Sequence, residues 1–319
     1  MHTMRALLDY HVHLWPHAER AERGEYALDR LERYCAAATV AGVEELAVTE
    51  HLFRFAAGRA AVGEFWEQET DGELRSRMRA YFDHHATADL DEYVEAGLAA
   101  KAAGLPIVLG LEVDYYPGKM DAVASLLAGY PFDVLLGSVH WLGTWMFDDI
   151  GDAIAEREWH ARGAEYAWRA YTDALEELAA TGACDVLAHP DLVKVTGRRP
   201  SPGVLDECHD RMAEIAAASG MAAEISSAGW RKPVGEEYPA PPLLRRFVEQ
   251  GVPLTTASDA HTLPDVAERA GDLRTLLTDA GVSSLRGFRK RQPHDIAVSP
   301  GTDAVPGSGA SGPAGRVGG

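Results

Sequence analysis

Cysteine is scarce in this 319-residue chain. Only Cys35, Cys184 and Cys208 occur, and no two of them have CxxC spacing. An odd, sparse set of this kind points to reduced thiols in a cytosolic protein, most simply buried as small apolar side chains. Basic residues are also in short supply: 30 Lys and Arg face 49 Asp and Glu, for a formal charge of −19. That balance leaves no basic track for a polynucleotide, so no nucleic-acid partner is expected. It does not exclude a small anionic substrate, because bound divalent cations reverse the local sign. No apolar run approaches the roughly 18 residues of a membrane span. No signal-peptide core precedes Asp9. We therefore expect a soluble, cytoplasmic protein that does not contact a membrane.

What the chain does have is a recurring apolar run. Strands are expected at 7–14, 45–52, 106–115, 133–141, 185–192, 222–227 and 253–258. Helical periodicity lies between them, at 26–41, 91–103, 159–181, 204–219 and 241–250. Five helices stop at a glycine just before the next strand: Gly42, Gly104, Gly182, Gly220 and Gly251. Glycine suits the left-handed position that closes a helix. The alternation indicates an α/β protein with a parallel sheet. Two departures stand out. Residues 54–86 are charged, aromatic and too long for an ordinary loop, so a lid or helical insertion is expected there. From 299 onward Gly, Ser, Pro and Ala dominate, which predicts a disordered tail after a single domain spanning 1–298.

Six of the seven runs end in or near His, Asp or Glu: His11 and His13, Glu50 and His51, Glu112, His140, His189, and Asp259 with His261. The remaining run carries Glu224. A doubly wound open sheet also alternates strands and helices, but it concentrates its site at one switch point. Ligand-type residues spread over six strand ends favour a seven-stranded, distorted TIM-like (βα)7 barrel, whose carboxyl-end rim gathers side chains distant in sequence. Imidazole with carboxylate is a ligand set for zinc, iron or manganese. His11 and His13, two apart on a strand, share a face and can reach one metal. Asp259 and His261 repeat that spacing. Glu112 ends an apolar strand, where burial is costly unless the carboxylate is paired or ligating. Its two oxygens can bridge two cations. His51 fits a further ion with His17 and His261, while Glu50 can ligate or orient an imidazole. His2, His84, His85, His160, His209 and His294 read as structural.

In order along the chain, His11-Val12-His13, Thr49-Glu50-His51, Glu112, Ser138-Val139-His140, His189-Pro190-Asp191 and Ser258-Asp259-Ala260-His261 resemble the motifs of the PHP (polymerase and histidinol-phosphatase) superfamily. The resemblance covers about residues 7–262. It is strongest to the stand-alone histidinol-phosphatases, through residues 110–115, 132–140 and 228–239. Glu50 stands where many members carry Asp, and His13 to His17 is a shorter spacing than the family often shows. The resemblance implies a distorted (βα)7 barrel and a site of two or three divalent ions (Zn, Fe or Mn). The first ion would take His11, His13, Glu112 and Asp259; the second Glu112, His140 and His189; the third His17, His51 and His261. It further implies hydrolysis of a small phosphomonoester, with histidinol phosphate the foremost candidate. Asp259 or His261 would protonate the leaving oxygen.

A phosphomonoester also needs a cationic contact. Arg231 and Lys232 follow the sixth strand, and Lys194, Arg198 and Arg199 follow the fifth. Glu236, Glu237 and Asp191 are the acids available to the amino and imidazole groups of histidinol phosphate. Two other activities fit the same residue types. One is a phosphoesterase acting on a nucleotide or another small ester. The other is a metal-dependent amidohydrolase, although no lysine ends a strand to serve as the carbamylated ligand such sites often use.

Overall fold

Apolar residues on both faces of a strand require cover on both sides, and parallel strands joined by helices provide it. The computed structural model describes residues 7–17, 26 and 28–298, and it places such strands at the centre. In chain order the first elements are β1 (Leu7–Val12), α1 (Leu28–Val40) and β2 (Val43–His51), then α2 (Ala56–Val62), α3 (Gly72–His85) and α4 (Leu90–Ala102). There follow β3 (Ile107–Asp114), α5 (Met120–Leu127), β4 (Val134–Ser138) and a short hairpin, β5 (Trp141–Leu142) with β6 (Trp145–Met146). The second half holds α6 (Ala153–Ala180), β7 (Val186–Leu187), α7 (Pro202–Ser219), β8 (Ala222–Ser226), α8 (Pro241–Glu249) and β9 (Leu254–Ala257). It ends with α9 (Ala270–Asp279) and the hairpin β10 (Ser284–Arg289) and β11 (Gln292–Ala297).

The main sheet runs β1-β2-β3-β4-β7-β8-β9, parallel throughout. It curls until β9 meets β1, a nearly closed barrel of the distorted TIM type. The seam is closed by a parallel bridge between Val12 and Ala260 and by side chains. Thr256 Oγ1 accepts from Leu8 N–H at 3.0 Å and donates to Leu8 C=O at 2.6 Å. The buried Asp9 carboxylate accepts from Ser258 N–H at 2.8 Å, Ser258 Oγ–H at 2.7 Å and Ala267 N–H at 2.9 Å. Near the middle strands a glycine is obligatory. A Cβ on Gly110 would lie 2.7 Å from both Val134 Cγ1 and Val134 O, so β3 and β4 could not keep their spacing beside Glu112.

Helix ends follow their local chemistry. Asp71, Asp89 and Asp152 accept from the first free N–H groups of α3, α4 and α6. Gly42, Gly104, Gly182, Gly220 and Gly251 all adopt positive φ. Strands β4 and β7 are shorter than expected. Pairing of β7 stops after Ala188 N–H donates to Gly137 C=O, because His189 turns to φ 26°. His140, His189, Asp259 and His261 therefore sit in the turns just past their strands. Hairpin β10–β11 and helices α5 and α9 were not anticipated. The hairpin turn docks against acids at the amino ends of the barrel: Arg289 on Glu45 (2.7 Å), Lys290 N–H on Asp133 (3.1 Å) and Arg291 on Asp185 (2.9 Å). The 54–86 stretch contains α2 and α3. The segment after 298 lies outside the described residues.

Candidate metal centre

Each barrel strand delivers its polar residues at the carboxyl end, and the delivered groups converge. From β1, His11 and His13 reach the centre side by side, ring centroids 5.0 Å apart. His13 stacks on His51 from β2 and on His261 after β9, both at 4.2 Å. His189 lies 5.5 Å from His11 and 5.1 Å from His140, which completes the circuit. Glu112 stands in the middle, wholly buried. Its Oε2 faces His51 Nδ1 at 2.7 Å, His11 Nε2 at 3.1 Å and His13 Nε2 at 3.5 Å. Its Oε1 faces His189 Nε2 at 3.1 Å and His140 Nε2 at 3.4 Å. One carboxylate thus addresses two separate imidazole groups through its two oxygens. Asp259 Oδ1 sits opposite, 3.5 Å from His13 Nε2 and 3.8 Å from His11 Nε2.

Four clusters of donor atoms, each drawn together within 4.8 Å, are His11 with His13 and Asp259; His11 with Glu112 and His189; His13 with His51 and His261; and His51 with Asp114 and His140. This grouping overlaps the expected one without matching it. His13, rather than His17, completes the cluster with His51 and His261. His17 lies on the exposed lip, its ring 5.3 Å from His51 and 4.8 Å from His261. The donor set suits divalent cations. His11 Nε2, both nitrogens of His13 and His51, Glu112 Oε2 and His261 Nε2 are buried with no hydrogen-bond partner, an arrangement that is costly unless a cation sits among them.

Behind the converging atoms stand further carboxylates. Glu224 Oε2 is 2.9 Å from His11 Nδ1, and Asp114 Oδ1 is 2.6 Å from His140 Nδ1. An ionised carboxylate only accepts, so Nδ1 carries the hydrogen and the Nε2 lone pair turns inward. Neither acid was assigned a role from sequence. Asp114 was discernible, since it lies two residues after Glu112 on the same strand face. Glu224 lies on the one strand whose end carries no ligand-type residue, so its neighbours in sequence give no sign of its role.

Glu50 needs correction as a metal ligand. Its Oε1 accepts from Leu14 and Trp15 N–H, and Oε2 lies 3.3 Å from Arg54 Nε and 3.8 Å from His13 Nδ1. Arg54 in turn donates to Pro16 C=O at 3.0 Å. The buried Glu50–Arg54 pair thus holds the segment between His13 and His17, and of the two roles expected for Glu50 its place beside His13 Nδ1 fits the acid that orients an imidazole, not a ligand.

Charge at the site is strongly coupled. Burial opposes ionisation of Glu112, but His11, His51 and His140 outweigh it and hold its carboxyl well below the usual range. For Asp259, burial is likewise overcome by the nearby imidazoles, His11 foremost. Burial pushes His51 and His261 well below the usual imidazole value, which keeps them neutral as ligation requires. Burial also disfavours a charge on His140, but Glu112 and Asp114 raise it to about 10. Without a cation, then, the acids of the centre draw a proton onto His140, and a bound divalent ion would take the place of that charge and free the Nε2 lone pair.

The candidate phosphate contacts separate clearly. Lys194 is wholly buried, with Nζ 2.9 Å from Asp191, 3.0 Å from Glu236 and donating to Glu237 C=O at 2.6 Å. It cannot meet a substrate, and Asp191 and Glu236 are occupied by it. Glu237 accepts from Trp230 Nε1–H. Arg198 pairs with Glu156 at 2.7 Å and lies over Trp159; Arg199 pairs with Glu236. These assignments from sequence fail because each cation meets its own acid or ring before it can reach the rim. Arg231 is on the rim but donates to Glu268 (2.7 Å) and to the carbonyls of Ser258 (2.8 Å) and Asp259 (3.0 Å), which fixes the turn carrying Asp259 at φ 50°. The Lys232 ammonium has no hydrogen bond or ion pair with another described residue, although its backbone N–H donates to Gly229 C=O. It lines a cavity of about 400 Å³ that opens beside His17 and His140. His85, expected to be structural, lines it too.

The profile of the PHP domain family matches residues 23–228. A Deinococcus radiodurans protein named "Probable histidinol-phosphatase" is 32% identical over 296 residues, covering 91% of this chain and all of that protein. The crystal structure of histidinol phosphate phosphatase from Lactococcus lactis, in complex with zinc, L-histidinol and phosphate, superposes with a TM-score of 0.64 at 20% identity. It covers 90% of this chain and 98% of that one. A solved chain from Listeria monocytogenes gives 0.63 at 19% identity, over 83% and 98%. No described helix is long and apolar enough to cross a membrane.

Proposed function

The chain belongs to the PHP domain family, and from that premise we propose that it is a divalent-metal-dependent phosphomonoesterase acting on L-histidinol phosphate. The products are L-histidinol and phosphate, a step of histidine biosynthesis. The observation that carries this reading is Glu112, whose two oxygens face two different sets of imidazoles. In this reading residues 1–298 form one barrel domain, with the helices of 54–86 beside its mouth.

In this reading His11, His13 and Asp259 would hold one ion and His140 and His189 a second, with Glu112 facing both groups; His51 and His261 would hold a third, with His17 or His13. When bound, such ions lower the pKa of water and offset charge on phosphoryl oxygens. The chain's own residues do the rest. Glu224 and Asp114 fix the tautomers of His11 and His140. Lys232, lining the cavity beside the centre, receives the ester dianion. Arg231 fixes the backbone of Asp259, which places that carboxylate at the centre, where it or His261 would take the proton of the attacking water and pass it to the leaving alkoxide. The strongly negative surface does not repel the ester once divalent charge is present.

The test is phosphate release from a panel of monoesters by protein loaded with Mn²⁺ or Zn²⁺. Histidinol phosphate should give the highest kcat/KM, and chelation should abolish turnover. Preference for a nucleotide would favour another small phosphoester as the substrate. Release from no ester by metal-loaded protein would overturn the reading.

A further inference from the structure

The cavity beside the metal centre has two kinds of wall. One is aromatic. Phe53 stacks on His51 at 4.4 Å, carrying the wall outward from the centre. Tyr81 lies 5.0 Å from Phe53, 4.3 Å from His85 and 6.3 Å from Trp141. These rings pack on one another and together form one aromatic wall of the cavity, a surface on which a flat ring can stack. Burial pushes His85 down to about 4, with a smaller push from Arg54. It is therefore neutral near pH 7, and its buried Nδ1 has no hydrogen-bond partner.

The other wall is acidic, and its two carboxylates differ. Asp149 is neutralised by Arg77, which also reaches Asp152 at 3.2 Å. Asp148 makes no hydrogen bond or ion pair with another described side chain, although it is partly buried and lines the cavity. Burial disfavours its charge, and His140 and Lys232 offset it only through space, so a further cation placed directly against it would be stabilising. Lys232 lines the same cavity, the group suited to the phosphoryl end.

We propose that Asp148 is the specificity-determining residue for the leaving group: it binds a primary ammonium on the alcohol, while the wall formed by Phe53, Tyr81, His85 and Trp141 takes a planar ring. This builds on the phosphomonoester reading but concerns the alcohol rather than the phosphate. It assigns the amino group of that alcohol to Asp148 in place of Asp191, Glu236 and Glu237, which are engaged elsewhere.

Two measurements on metal-loaded, full-length protein test it. In the first, calorimetry compares L-histidinol with the same alcohol lacking the amino group. Wild type should bind the amino alcohol roughly 10–100-fold more tightly, the scale of a charge-assisted contact. Asp148→Asn should reduce that ratio to near one, and Asp148→Glu should keep part of it. The second is the ratio of kcat/KM for the two corresponding phosphate esters, which should collapse in parallel. Unchanged metal content and thermal midpoint in Asp148→Asn show that the variant is folded. Equal wild-type affinity for the two alcohols would overturn the proposal. So would an Asp148→Asn defect equal for both esters, which would place Asp148 on the leaving oxygen instead. If the amino alcohol binds through Asp148 but its phosphate ester is not hydrolysed, the esterase reading falls and this one stands.

Discussion

Replacing Glu224 by Gln removes one charge at nearly constant shape, from a position that touches no substrate. Glu224 is fully buried. Its Oε2 receives His11 Nδ1–H at 2.9 Å, and its Oε1 lies 3.4 Å from the backbone N–H of His189. The carboxylate therefore steadies two candidate ligands that come from opposite parts of the barrel. A hydrogen bond to a charged group contributes about 1.5–3 kcal/mol and a neutral one about 0.5–1.5. The exchange should weaken metal binding by about 1–2 kcal/mol, roughly 5–30-fold. That lies near the lower part of the range seen for carboxylates that orient metal-bound imidazoles. Competition with a chromophoric chelator measures the affinity, and thermal unfolding of metal-free protein measures the fold separately. Wild-type affinity in Glu224→Gln would refute the orienting role. So would an affinity loss fully matched by lost stability of the metal-free fold, since the effect would then be structural.

Glu112→Gln should lose at least one equivalent of metal and most phosphatase turnover, read by elemental analysis and phosphate release; full occupancy with full rate would remove the shared-ligand role. Lys194→Met leaves Asp191 and Glu236 facing a buried methyl, and denaturant unfolding should show a loss of about 3–5 kcal/mol. A variant of unchanged stability but greatly raised KM would restore Lys194 as a phosphate contact. Arg291→Ala breaks a two-point pair with Asp185 and a bond to Ala183 C=O at the barrel floor. The pair is partly exposed, so about 1 kcal/mol and a few degrees of thermal midpoint are expected; an equal loss of metal affinity would show that the two ends of the barrel are coupled.

The sequence showed the fold clearly where periodicity and punctuation agree. The helix–Gly–strand units read correctly because a left-handed glycine after each helix is a local requirement. The β10–β11 hairpin was not legible. Its strands are half exposed and its turn uses Lys290 and Arg291 at positive φ in place of glycine. Its anchors, Glu45, Asp133 and Asp185, are distant in sequence. The converging imidazoles were visible as strand-end residues because a parallel barrel turns strand ends into neighbours. Which acids face them was less visible. Glu50 and Glu112 look alike as carboxylates ending apolar runs, and only the third dimension shows Arg54 and two backbone N–H groups engaging the first. The cations were the least legible, because a basic residue near a rim reads the same whether it faces substrate or, like Lys194, an acid buried beneath it.

The claim on which the rest depends is that Glu112 is shared between two divalent ions. Anomalous-dispersion maps from crystals of the protein grown with Zn²⁺ or Mn²⁺ address it directly. The account predicts at least two peaks, on opposite sides of the Glu112 carboxylate, one towards His11, His13 and Asp259 and one towards His140 and His189. A map with no peak at Glu112, or a single ion bound without it, would contradict the account.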